Sequence, residues 1–259
     1  MVMDGSGIGS SEKTCVRSIT TILFDLDNTL IFTREADSAT CATVASWLTN
    51  QGLPKEESRQ ITTGFLQKFR EAPAPNYPTD VAGLDKWRLD IWASVLPEIY
   101  HQYIGDVYSL WKLERLNRLS LTPSVISMLE ELASDFNLGL ITNGPSVAQW
   151  EKINESGCHK FFDTVIVSGD LDVEKPNKCI YELACSELKV NPSECIMVGD
   201  KIETDIKGGM NAGVGATVWV NARNKSAPDD IQPDFTIVNV TKLPDILPTI
   251  TAASQNEES

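Results

Sequence analysis

Short apolar, β-rich runs alternate along this chain with longer stretches of helical pattern, and that rhythm restricts the fold more than any other feature. The runs lie at 20–26, 138–142, 164–168, 195–199 and 216–220, with a last short one at 234–238. Helical stretches fall at 123–135, 145–156, 176–188 and 203–212, and another follows at 242–250. Three of them open at or beside a proline, which suits a first helical turn because the missing N–H has no intrahelical partner there. Strands separated by helices predict βαβ units, hence an α/β fold with a mostly parallel sheet.

Residues 34–120 break the rhythm. No strand pattern is visible, and helices are expected at 38–50 (amphipathic, stopped by Gly52), 55–70, 84–96 and 97–118, with a proline-rich loop at 72–78. Four of the six tryptophans lie here: Trp47, Trp87, Trp92 and Trp111. They read as core rather than as sugar platforms. A length of 259 residues suits one large domain or one domain with an insertion. The expected organisation is a flexible tail at 1–17, an α/β core at 18–33 and 121–250, a helical cap at 34–120, and a second tail at 251–259.

Charge and cysteine content exclude several classes. The chain carries 22 basic and 36 acidic residues, a net charge of −14. Phosphate backbones attract surplus lysine and arginine, so a nucleic-acid partner is not expected. No run approaches the ~18 apolar residues of a membrane span, and no apolar stretch near Met1 reads as a signal peptide. The six cysteines are scattered without a CxxC and only two histidines are present, so neither a disulfide framework nor a zinc site is expected. Reduced thiols in the cytoplasm are the expectation, and nothing signals an obligatory protein partner.

Four short motifs carry chemistry. Asp25-Leu26-Asp27-Asn28-Thr29 closes the first run. Residues i and i+2 of a strand share a face, so both carboxylates are expected side by side at a strand's carboxyl end, where α/β sheets place ligands. Like charges so close call for a cation, and Mg²⁺ accepts carboxylates together with phosphate oxygens; the alternative is a capped turn. Asp200 and Asp205 in Gly199-Asp200-Lys201-Ile202-Glu203-Thr204-Asp205 would lie ~140° apart on one helix. They converge only with Asp200 in the loop and Asp205 in the first turn; the alternative is an Asp200 cap closed by Glu203. Thr142-Asn143-Gly144 leads from strand through a tight turn into a helix, either an anion cradle or an ordinary turn. Lys175-Pro176 puts a cation at a helix start, where it wants an anionic partner unless it is merely solvated.

In this order, Asp-x-Asp-x-Thr, then Thr, then Lys-Pro, then Gly-Asp-x-x-x-x-Asp resembles the haloacid dehalogenase-like hydrolase superfamily over roughly residues 18–249. The resemblance implies a Rossmann-like core with a cap inserted after strand one. It implies that Asp25 is a nucleophile forming an aspartyl-phosphate and that Asp27 is a general acid and base. Leu26, Asp27, Thr142, Asn143 and Lys175 would be the phosphate-binding set, with Thr142 and Lys175 also catalytic. Mg²⁺ would be held by Asp25, the backbone carbonyl of Asp27, and Asp200, while Asp205 orients the ligands. Because a departing halide needs no proton, an acid at position 27 favours phosphomonoester hydrolysis over dehalogenation.

Within the superfamily the finer resemblance is to phosphatases of acylneuraminate 9-phosphates. It rests on residues 24–31 (FDLDNTLI), on Leu110-Trp111-Lys112 with Arg115-Leu116, on residues 140–144, and on residues 197–221 (MVGDKIETDIKGGMNAGVGATVWVN). It implies a phosphorylated sugar-acid substrate; a different sugar phosphate or a nucleotide monophosphate is the competing expectation. Lys112, Arg115 and Arg118 drift along one helical face. Lys112 and Arg115 are candidates for a substrate carboxylate, against a salt-bridged face with Glu114. Phe32, Arg34 and Glu35 depart from the family near the cap hinge. Two other classes compete: a phospho-accepting receiver module, in which Thr and Lys would come last, and a non-catalytic protein on the same fold.

Overall fold

The computed structural model describes residues 18–71 and 79–256. The expected tail at 1–17, the loop at 72–78 and residues 257–259 lie outside the described residues. Strand β1 (Thr21–Phe24) is buried along its whole length and leads into four helices: α1 (Thr33–Asn50), α2 (Lys55–Glu71), α3 (Val81–Val95) and α4 (Ile104–Arg118). Next come α5 (Pro123–Leu132), β2 (Asn137–Thr142), α6 (Ser146–Ser156), β3 (Thr164–Val167), α7 (Lys178–Leu188) and β4 (Cys195–Gly199). Helix α8 (Lys207–Ala212), β5 (Ala216–Val220), β6 (Phe235–Ile237) and α9 (Leu243–Asn256) complete the chain.

The six strands form one sheet in the order β3-β2-β1-β4-β5-β6, and every pairing is parallel. The expected α/β, Rossmann-like architecture is therefore present. Strand alternation explains why both faces need cover. Ile22 and Phe24 pack with Val125, Leu129, Leu243 and Leu247 of α5 and α9. Leu23, between them in sequence, packs on the other face with Ile180, Tyr181 and Ala184 of α7. Sequence order reverses at β1, which has β2 on one side and β4 on the other; ligands bind beyond the strand ends at such a point.

Helices α1 to α4 build a core of their own. Phe65 stacks on Trp92 with ring centroids 3.7 Å apart, and Trp111 meets Phe65 edge-on. Trp92 and Trp111 are buried, while Trp47 and Trp87 pack against the same cluster, so the tryptophans are core as expected.

Several boundaries moved for physical reasons. Helix α3 starts at Val81, not 84, because the Asp80 carboxylate accepts the Gly83 N–H at 2.6 Å and caps it. The expected helix 97–118 is a short tight turn, Glu98–Tyr103, followed by α4. Helix α9 runs to Asn256, past the expected end at 250. The expected helix at 203–212 opens instead with one wide turn, Ile202–Ile206, before α8.

Candidate active site

Asp25 follows β1 directly, and its N–H still donates to Val198 O of β4 at 2.9 Å. The strand ends at Phe24 after only four residues, because Leu26 O then accepts the N–H groups of Thr29, Leu30 and Ile31. Asn28 takes a positive φ of 67° in that turn, which asparagine tolerates better than most residues. This turn corrects the expectation that Asp25 and Asp27 lie side by side on a strand: only Asp25 faces the other acids. One carboxylate oxygen from each of Asp25, Asp200 and Asp205 lies within 4.8 Å of the others.

Lys175 ties two of these acids together. Its ammonium donates to Asp25 Oδ1 and Ile141 O, each at 2.7 Å, and lies 2.8 Å from Asp205 Oδ1. Lys175 is buried in the loop just ahead of α7, which starts at Lys178 rather than at the expected 176 because Asn177 caps the first turn through the Cys179 N–H. Burial opposes its charge, but Asp205 and Asp25 outweigh burial and raise its pKa above the usual lysine range. Burial of Asp25 raises that carboxyl to about 6, with Lys175 pulling down and Asp205 pushing up. Thr29 Oγ1 donates to the other oxygen of Asp25 at 3.1 Å.

Asp205 is fully engaged. Oδ1 meets Lys175 and, at 3.3 Å, the Thr204 hydroxyl; Oδ2 accepts the Lys201 N–H at 2.9 Å. It fits under β4 only because residue 199 is glycine, where a Cβ would stand 2.3 Å from Asp205 Oδ2. Asp200 is different. Its Oδ2 accepts from Arg34 Nη1 at 2.6 Å, while its buried Oδ1 has no hydrogen-bond partner among the described residues. Trp219 Nε1 donates to Asp200 O at 3.0 Å and pins the backbone. Burial and the charge of Asp25 raise the Asp200 pKa, against Arg34. An unpaired, buried carboxylate oxygen beside two further carboxylates suits a hard, oxygen-seeking dication. Asp200 and Asp25 fit it best: Asp200 Oδ1 is free and each Asp25 oxygen meets a single donor, whereas the two Asp205 oxygens share three.

Asp27 points into a separate cradle. Lys152 Nζ donates to both of its oxygens, at 2.8 and 2.6 Å, Gln149 Nε2 donates at 3.0 Å, and the Thr33 hydroxyl donates to Oδ1. Burial alone would raise this carboxyl, but Lys152 and the neutral donors hold it well below the usual range. Thr142 Oγ1 accepts from Gln149 Nε2. The Asn143 side chain clasps the backbone of Lys175: Nδ2 donates to Lys175 O at 2.8 Å and Oδ1 accepts the Lys175 N–H at 2.9 Å, which leaves one Nδ2 hydrogen for an anion. Leu26 is buried and can offer a ligand only its backbone.

Residues 19–213 match the family profile of the haloacid dehalogenase-like hydrolases. The chain belongs to that family. N-acylneuraminate-9-phosphatase of Homo sapiens is 36% identical to this hydrolase over 238 residues, which cover 88% of the chain and 94% of the relative. Glyceraldehyde 3-phosphate phosphatase of Methanopyrus kandleri is 30% identical over 88% of the chain and 97% of its own length. A haloacid dehalogenase-type hydrolase of Bacillus subtilis, solved with bound magnesium, shares the fold at 23% identity, with a TM-score of 0.61 over 89% of this chain and 99% of its own.

Beyond Asp27 the hydrolase opens a cavity of about 390 Å³. Six cations line it: Arg34, Arg70, Arg88, Arg115, Lys152 and Lys201. Among the described residues, the acids in its lining are Asp27 and Asp37. Arg115 is buried and spends only Nε, which donates to Asp37 at 2.8 Å. Its two terminal nitrogens carry no hydrogen bond among the described residues. Lys112 lies outside the lining; it pairs with Asp85 at 2.7 Å and Glu151 at 3.7 Å. Of the two expected carboxylate-binding cations, then, the structure brings only Arg115 to the cavity. Arg118 pairs with Glu114 at 3.0 Å along its own helix.

The sequence reading missed Lys152, Gln149 and Thr33, although one signal was available. Gln149 and Lys152 are three apart on the helix that follows Thr142-Asn143-Gly144, so they share the face turned to that loop. Arg70 and Arg88 carried no local signal, since only tertiary packing brings them to Asp27. No described helix is long and apolar enough to cross a membrane, and the five described cysteines are free.

Proposed function

We propose that this hydrolase removes phosphate from an N-acylneuraminate 9-phosphate through an aspartyl-phosphate intermediate, with Mg²⁺ as cofactor. That the chain is a phosphoric monoester hydrolase follows from its family and from phosphatase relatives spanning most of its length. The observation that carries the substrate reading is the cationic cavity. A sugar acid phosphate presents a carboxylate remote from its phosphate, and the free Nη pair of Arg115 offers a planar fork for such a group.

In the mechanism, an ionised Asp25 oxygen forms a bond to phosphorus as the bond to the sugar oxygen breaks. The leaving alkoxide takes a proton from Asp27. Water then attacks phosphorus, returns a proton to Asp27 and frees the Asp25 carboxylate. Lys175 holds Asp25 in place and offsets charge, and Asn143 holds Lys175. Asp25, Asp200 and the Asp27 carbonyl would hold the cation, whose chemistry would be to offset charge on the phosphoryl oxygens. In the arrangement described, Asp27 is a carboxylate, ready for the base role. Its acid role needs the incoming phosphate dianion to draw Lys152 away and raise its proton affinity.

Steady-state assays on a panel of phosphate esters test the substrate. Acylneuraminate 9-phosphate should exceed sugar phosphates and nucleotide monophosphates in kcat/KM. Parity with a generic ester would sink the assignment. Asp25→Asn should abolish turnover; equal turnover would remove Asp25 as nucleophile.

A further inference from the structure

The fold sets Arg34 at the seam between the helices and the sheet. It stands in the first turn of α1, with its N–H donating to Asn28 Oδ1 at 2.9 Å. Its side chain reaches across to Asp200, 166 positions away in sequence. Lys175 serves Asp25 and Asp205 but makes no contact with Asp200, so Arg34 is the cation paired with the third acid of the cluster. The Arg34 side chain is about one-third exposed (34%) and lines the cavity that also holds Asp27, Arg88 and Arg115. One charged group thus faces a candidate cation ligand on one side and the proposed substrate cavity on the other.

We propose that Arg34 trades partners: it holds Asp200 while the cation is absent, and turns to the substrate's phosphate dianion once the cation has taken Asp200. The inference rests on the reading of Asp25 and Asp200 as cation ligands. Its physical basis is charge. A guanidinium 2.6 Å from a carboxylate opposes the approach of a dication to that carboxylate. The same guanidinium, released beside an open cavity, adds a donor fork for an oxyanion. Cation and Arg34 therefore compete for Asp200, and Arg34 and the oxyanion assist each other. Such couplings usually change affinities by about 5–150-fold.

Full-length wild type, Arg34→Gln, Arg34→Lys and Asp200→Asn are compared in two binding measurements. Mn²⁺ affinity is read by electron paramagnetic resonance in the absence of substrate. Orthovanadate affinity is read by calorimetry at saturating Mg²⁺. Arg34→Gln should bind Mn²⁺ roughly tenfold more tightly and vanadate roughly tenfold more weakly, with Arg34→Lys near wild type in both. Opposite shifts in two affinities are not what a folding defect produces. Unchanged or weaker Mn²⁺ binding by Arg34→Gln would overturn the competition, and unchanged vanadate binding would overturn the trade. Asp200→Asn separates the two readings. If it binds Mn²⁺ as wild type does, the cation site itself is misassigned and this inference falls with it; if it loses Mn²⁺ while Arg34→Gln does not gain it, only this inference fails.

Discussion

Replacing Lys175 by Met would leave two buried carboxylates facing one another with no cation between them. Lys175 is 2% exposed and meets Asp25 at 2.7 Å and Asp205 at 2.8 Å. Oxygens of those acids lie within 4.8 Å of each other, and at that separation an effective dielectric constant of about 20 gives a repulsion of about 3.5 kcal/mol. Breaking buried ion pairs usually costs about 3–5 kcal/mol, so the two routes agree. At pH 7 without metal, Lys175→Met should lose about that much stability in urea titration, or on the order of 10 °C in Tm. The pH dependence has a definite sign. Without Lys175 the folded pKa of Asp25 rises beyond its present value of about 6, while the unfolded value stays near 3.8. Relative to wild type, the folded variant binds more protons only from about pH 6 upward, so its deficit grows as pH rises above about 6 and shrinks below it. Adding Asp205→Asn should restore part of the loss, a coupling of roughly 1–3 kcal/mol. A variant within about 0.5 kcal/mol of wild type at pH 7, or a deficit independent of pH, would refute the reasoning.

Three further outcomes are expected. Lys152→Met should release Asp27 from its lowered pKa and remove roughly 1–3 kcal/mol of stability; because that stabilisation exists above pH 4 and fades in acid, denaturation should show a loss at pH 7 that shrinks toward low pH. Asp27→Asn should slow hydrolysis of alkyl phosphates far more than of activated aryl phosphates, and equal losses in kcat/KM would argue against proton donation. Replacing Mg²⁺ by Ca²⁺ should depress turnover, since Ca²⁺ favours more ligands and looser geometry, and full activity in Ca²⁺ would contradict a tightly positioned metal.

Some of this was legible in one dimension and some was not. The alternation of runs and helices announced the parallel sheet, because each strand carries its burial in its own composition. The Asp200–Asp205 spacing foretold a loop acid and a first-turn acid, since helix geometry allows them to converge in no other way. The pairing of Asp25 with Asp27 failed because a period-two argument presumes a strand, and the turn at Leu26 had already begun. The assignment of Lys112 to a substrate failed differently: helical spacing orders residues on a face, but Asp85 comes from another helix and claims that lysine first. Charge distribution was informative. Residues 34–120 hold 10 of the 22 basic residues, and four of the six cavity cations come from that segment: Arg34, Arg70, Arg88 and Arg115.

The adjacency of Glu151 and Lys152 on α6 has a kinetic consequence. Glu151 takes both terminal nitrogens of Arg88, at 2.9 and 2.6 Å, from a side chain of α3 that is 1% exposed. Lys152 takes Asp27. One helix thus fastens the roof of the cavity and the proposed proton donor at neighbouring positions. Lifting α3 to let a bulky sugar out would strand Arg88 and load the same helix turn that grips Asp27. We expect the dwell time of product, set by how often that fastening lets go, to put a ceiling on turnover that faster chemistry at Asp25 could not raise.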